Sequence, residues 1–114
     1  MISNNTKNMV ICEKESFISS FFGKMAGLMF SSCPRPLVFA FSKESKQQLH
    51  MMFVFFPIDI IFLDGKMRVV ELKKNFRPFT FYNSKEKAKY VIELPAGLIE
   101  KSGTRIGDTV IFKR

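Results

Sequence analysis

Ile58-Asp59-Ile60-Ile61-Phe62-Leu63-Asp64-Gly65-Lys66-Met67-Arg68-Val69-Val70-Glu71-Leu72-Lys73 is the stretch whose reading decides the fold. In an extended chain Ile58, Ile60 and Phe62 point one way and Asp59, Ile61 and Leu63 the other, so both faces are mainly apolar. Asp64-Gly65 supplies hairpin turn chemistry, and the return strand is expected from about Met67 to Lys73, with Glu71 and Lys73 sharing a face with Val69.

Upstream, Pro57 interrupts the ladder, and Leu49 to Phe56 reads as a further strand apolar on both sides. Leu37 to Phe41 forms a strand after the turn-rich run Ser31-Ser32-Cys33-Pro34-Arg35-Pro36, whereas polar Ser42 to Gln48 suits a surface loop or one exposed helical turn. Ser16 precedes Phe17, Ile18, Phe21, Phe22 and Met25, whose spacing predicts a short helix ended by Gly27. Val10 and Ile11 suggest a first short strand, and residues 1–8 are polar enough to be a flexible terminus.

Downstream, Lys74 to Lys89 lacks a period of 2 or 3.6 and reads as a long connecting loop. Tyr90, Ile92 and Leu94 alternate with Val91 and Glu93 in a strand stopped by Pro95. Pro95 suits the first turn of a second short helix, with Gly103 just past its end. Gly107-Asp108 makes a turn before a last strand, Thr109 to Lys113, with Val110 and Phe112 on one side. The expected fold is β-rich α+β: one domain over residues 1–114, β-barrel-like, with two short helices.

Composition agrees with one core. The chain has 114 residues, 46% of them hydrophobic, with 14 Phe and 7 Met, and a domain of that length hides roughly two-thirds of the surface of its unfolded form. The longest apolar stretch, Leu49 to Leu63, is broken by His50, Pro57 and Asp59 and falls short of the ~20 residues that span a bilayer. Residues 1–8 carry no apolar signal region, so a cytoplasmic location is expected. Cys12 and Cys33 are too far apart for a C-x-x-C motif, and one His cannot complete a four-ligand zinc site with them. Two reduced thiols are expected, with a disulfide left open, and neither a metal nor a cofactor is implied.

Two groups of residues carry candidate chemistry. Asp59 needs a partner or water, because an unpaired carboxylate inside an apolar strand is costly. His50, the sole imidazole, could lie near it across a barrel, so the two are the candidate ligand-binding residues. No nucleophile is identifiable beside them and no phosphate-cradling glycine motif is present, which weighs against an enzyme without closing the question. The second group is Lys73, Lys74, Phe76, Arg77, Phe79, Phe81 and Tyr82, in which bases and rings interleave as on single-strand nucleic-acid platforms. A formal net charge of +8 points the same way, since a basic face gains affinity by releasing counterions from phosphates.

Five ordered motifs carry a family resemblance: Gly27-Leu28-Met29; Phe56-Pro57-Ile58-Asp59-Ile60-Ile61-Phe62-Leu63-Asp64; Val69-Val70-Glu71; Tyr90-Val91-Ile92-Glu93-Leu94-Pro95-Ala96-Gly97; and Ile106-Gly107-Asp108-Thr109-Val110. Together they resemble the "domain of unknown function 192" family over nearly the whole chain from Val10 onward. The resemblance implies a compact β-barrel-like fold with short helices, a prokaryotic source and no established activity. One departure stands out. Where many members carry Trp-Met-Lys-Asn-Thr before the Pro-x-Asp strand, this chain has His50-Met51-Met52-Phe53-Val54, so a polar site built on those residues would be altered here.

The resulting expectation is a binding or interaction module whose basic, aromatic segment contacts nucleic acid or another acidic partner. A small-ligand protein or enzyme with a pocket near His50 and Asp59, and a structural protein–protein interaction domain, stand as alternatives.

Overall fold

The Ile58–Leu63 strand is buried along its entire length, and the rest of the fold is arranged on its two faces. The computed structural model describes residues 1–13, 16–18, 37–50, 57–77 and 80–112. Its strands are β1 (Ile2–Asn4), β2 (Met9–Cys12), β3 (Ser16–Ile18), β4 (Leu37–His50), β5 (Ile58–Leu63), β6 (Val69–Phe76), β7 (Phe81–Pro95) and β8 (Val110–Phe112), with helix α1 at Leu98–Ser102. A five-stranded sheet has the order β3-β4-β7-β5-β6, and a three-stranded sheet the order β2-β1-β8. Only β3 and β4 pair in parallel; the other neighbours are antiparallel.

Strand parity sorts the core into two halves. Ile61, Leu63, Val38, Ile92 and Leu94 face Ile2, Ile11 and Val110 of the small sheet and Ile99 of α1. Ile58, Ile60 and Phe62 pack on the opposite face with Leu37, Phe39, Phe76, Ala88 and Val91. The alternation read from the sequence therefore holds at β5.

The large sheet does not stay flat. Fifteen residues of β7 would extend about 50 Å if straight, yet the longest dimension of the molecule is 34 Å. Register shifts between Ala40 and Ser45 and between Lys46 and Gln48 of β4 let the β4–β7 ribbon bend. Its far arm folds back, so that Tyr82 packs its ring 5.9 Å from Phe62 and 6.3 Å from Phe76, centroid to centroid.

The sheets join at the start of β6. The Val69 and Val110 N–H groups donate to the Asp108 and Met67 carbonyls, at 2.8 and 2.9 Å, and Gly107 N–H donates to the Val69 carbonyl. Among the described residues the ladder never closes into a ring, so the domain is β-rich and no closed barrel forms. What spans from β6 to the folded-back arm is a side chain. Glu71 accepts the backbone N–H groups of Lys85 and Glu86, both at 2.8 Å, and the Tyr82 hydroxyl also donates to it.

Several elements differ from the sequence reading. Ser16–Ile18, placed at the start of a helix, is the edge strand β3; the remainder of that helix, and the strand beyond His50, lie outside the described residues. Ser42 to Gln48 continues β4, because a polar segment can extend when a partner strand supplies the ladder. The expected Lys74–Lys89 loop divides between the end of β6 and the first part of β7. Residues 1–8, expected as a free terminus, contribute β1, with Ile2 fully buried at the centre of the small sheet. Pro95 ends β7 rather than opening the helix, which starts after Gly97 and stops at Gly103; both glycines are left-handed, with φ 99° and 70°. α1 is the sole helix among the described residues.

Glu71 also changes face. Phe62 pairs with Glu71 and Leu63 with Val69, a register shift that leaves Val70 as an extra residue. Because Phe62 and Leu63 belong to opposite faces, Glu71 lies across the sheet from Val69.

Candidate functional site

Asp59 stands in β5 with 1% of its surface exposed, and its need for partners is met by backbone donors. Oδ1 accepts the Asn75 N–H at 2.9 Å, and Oδ2 accepts the N–H groups of Gly97 and Ile99, each at 3.0 Å. One carboxylate thereby ties together β5, the end of β6 and the turn into α1. Opposite it, β6 carries a bulge: Ile58 pairs with Phe76 and Ile60 with Lys73, so Lys74 and Asn75 together face Asp59. Asn75 takes φ 51°, a left-handed conformation that Asn tolerates better than most residues. A cavity of about 310 Å³ opens here, lined by Asp59, Lys74, Asn75, Ala96, Gly97 and Glu100.

The second site is the folded-back arm. Lys46 of β4 pairs directly with Lys87 of β7, and both are exposed. Lys85, two residues from Lys87, is also exposed, while Ala88 is buried; just beyond Lys87 the register shifts, and β7 advances four residues against two of β4. None of Lys46, Lys85 and Lys87 has a carboxylate partner among the described residues. Lys73 stands 5.3 Å over the Tyr82 ring. Burial, and then the hydrogen bond to Glu71 and its negative charge, push the Tyr82 hydroxyl up to about 12.

Residues 5–112 match the family DUF192, described as "Uncharacterized ACR". The chain belongs to this family. It is 38% identical over 113 residues to a UPF0127 protein of Thermococcus sibiricus, covering 96% of this chain and 73% of that one. A UPF0127 protein of Pyrococcus horikoshii is 35% identical over 112 residues, covering 96% of both. Two crystal structures share the fold. A Novosphingobium aromaticivorans protein of unknown function superposes with TM-score 0.79 at 23% identity, over 86% of this chain and 74% of that one. A candidate transcription regulator of Sinorhizobium meliloti superposes with TM-score 0.78 at 22% identity, over 85% and 79%.

In this DUF192 domain the two candidate ligand residues sit at opposite ends of β7: the backbone of His50 pairs with Phe81, and Asp59 pairs with Leu94. Of the basic, aromatic set, Lys73 and Lys74 are on β6, Arg77 is exposed just beyond it, and Phe81 begins β7. Phe76 is 2% exposed, so its ring belongs to the core and offers no stacking surface. Tyr82 is half-buried against Phe62 and Phe76, and Phe79 lies outside the described residues. Sequence reasoning missed the pairing of Lys46 with Lys87, because the strand holding Lys46 read as a loop. It also missed Glu71 as the clasp of the folded-back arm, since the bulge at Val70 has no composition signal. Among the described residues no cluster of three His, Cys, Asp or Glu could hold a metal, and no helix is long and apolar enough to cross a membrane. The Cys12–Cys33 question lies outside the described residues.

Proposed function

We propose that this domain is a binding module for nucleic acid, with the outer face of the β4–β7 arm as its contact surface. The observation that carries the reading is Lys46 directly opposite Lys87, with exposed Lys85 two residues along β7 and no described carboxylate in an ion pair with any of the three. Like charges facing across an antiparallel pair destabilise a sheet by a few tenths of a kcal/mol up to about 1 kcal/mol, and a phosphate backbone relieves that repulsion while releasing its own counterions. Of the nearby carboxylates, Glu44 and Glu71 are occupied with the N–H groups of Gly65 and of Lys85 and Glu86, and Glu86, exposed between Lys85 and Lys87, forms no ion pair with a described residue. With Phe76 buried and Tyr82 packed on the core, recognition rests on charge rather than on base stacking, so little sequence preference is expected. The regulator description of the Sinorhizobium protein belongs to that protein; for this chain it makes duplex DNA one of the polymers worth comparing with single strands.

The test is fluorescence anisotropy with labelled single-stranded and duplex oligonucleotides between about 50 and 200 mM salt. Binding should weaken linearly on a log–log plot. Replacing Lys46, Lys85 and Lys87 together by Ala should flatten the single-strand slope by about 2. Lys87→Glu should raise the melting temperature of the free protein by pairing with Lys46, while weakening oligonucleotide binding. Absence of binding by the unmodified protein at low salt, or a slope indifferent to the triple substitution, would remove the reading.

A further inference from the structure

The cavity at Asp59 carries a different chemistry from the basic arm, which stands toward the other end of β7. Its walls come from three segments that the Asp59 carboxylate holds together through the N–H groups of Asn75, Gly97 and Ile99. The cavity is therefore part of the folded frame. At about 310 Å³ it lies at the small end of the range for ligand pockets.

Two charges of opposite sign line it, Lys74 on the β6 bulge and Glu100 on α1, and neither forms an ion pair with the other or with another described residue. Two exposed chains on one small cavity that do not neutralise each other leave both charges available. The bulge places Lys74 and Asn75 together opposite Asp59, and the backbone at Asn75 is held at φ 51° to do so. Bulges of this kind re-aim side chains, and this one brings both Lys74 and Asn75 to the cavity. Gly97 completes the wall at φ 99°, and a Cβ built on it would meet nothing within 4 Å, so space stands open over that turn. Asn75 adds a side-chain amide, which both donates and accepts.

We propose that this cavity binds a small zwitterion of the free amino-acid class, its carboxylate toward Lys74 and its ammonium toward Glu100, with the Asn75 amide between them. A simple anion meets the carboxylates of Glu100 and Asp59, and a simple cation meets Lys74; a ligand carrying both charges satisfies both sides.

The experiment is a titration of the full chain with each of the common free L-amino acids, followed by amide chemical shifts of Asn75, Ala96 and Gly97. At least one should bind with saturable shifts at those amides. Lys74→Met and Glu100→Gln, both exposed substitutions, should each weaken it at least tenfold. The deaminated analogue of the bound amino acid should bind the unmodified chain less well and regain affinity in Glu100→Gln, where the opposing charge is gone. Absence of saturable shifts with every amino acid at millimolar concentration would overturn the proposal. So would binding that both substitutions leave unchanged. The oligonucleotide test uses other residues, so either proposal can fail alone.

Discussion

Glu71 is buried beside a phenol, and the pair shows how much a single side chain decides in this domain. Its carboxylate takes two backbone N–H groups and the Tyr82 hydroxyl, which makes it the link between β6 and the folded-back arm. Tyr82 titrates at about 12 in place of 10.0 because burial first, and then the neighbouring Glu71, oppose its ionisation. A folded value raised above the unfolded one means stability that is complete below pH 10 and is lost as pH rises from there through 12. In a Tyr90→Phe background, Glu71→Gln should move the phenolate absorbance of Tyr82 back toward the ordinary tyrosine range. An unchanged titration would show that burial alone sets it. At this scale the sequence was only partly legible. That Asp59 needed partners followed from its apolar strand, but three amides supplied by Asn75, Gly97 and Ile99 could not be read from residues 16 to 40 positions away.

Elements were legible where the hydrophobic pattern was strict and illegible where register shifted. β5, the Asp64-Gly65 turn and the stop at Gly103 follow from local chemistry: Asp64 Oδ1 accepts the N–H groups of Lys66 and Arg68 at 2.9 and 3.0 Å, and Gly103 takes the left-handed φ that ends the helix. The polar halves of β4 and β7 escaped because each is extended by its partner rather than by its own side chains, as with Lys46 and Lys87. Two bulges in β6, at Val70 and at Lys74-Asn75, broke the period of two that strand reading relies on. The second makes a specific prediction. A β-branched residue is strained at φ 51°, so Asn75→Val should cost about 1–2 kcal/mol. Asn75→Gly, which enters the left-handed region freely, should stay near the unmodified stability. Urea midpoints at constant m-value would measure both, and equal midpoints would show that the bulge relaxes.

The whole molecule is fastened by its two ends. β1 lies between β2 and β8, so strands from residues 2–4 and 110–112, distant in sequence, pair directly. A buried polar cluster secures the seam. Asn4 Nδ2 donates to Asp108 Oδ2 at 2.9 Å and to Thr104 Oγ1 at 3.0 Å, Arg105 N–H reaches the same carboxylate at 2.9 Å, and Lys7 Nζ stands 3.7 Å from it. Burial by itself raises the Asp108 carboxyl, but the Asn4 and Arg105 hydrogen bonds and the Lys7 charge outweigh it, and the group rests below its ordinary 3.8. A depressed folded value contributes stability that is present above the unfolded value and lost as pH falls through the folded one. The acid limb should therefore begin near pH 4 and steepen below it. Asp108→Asn should flatten that limb, and Asn4→Ala should make it shallower, because removing the largest of the lowering contacts brings the folded value back toward the unfolded one. Thermal melts between about pH 2 and pH 6 would read both. An acid limb identical in all three proteins would place the fastening of the chain ends elsewhere, in the apolar contacts of Ile2 and Val110.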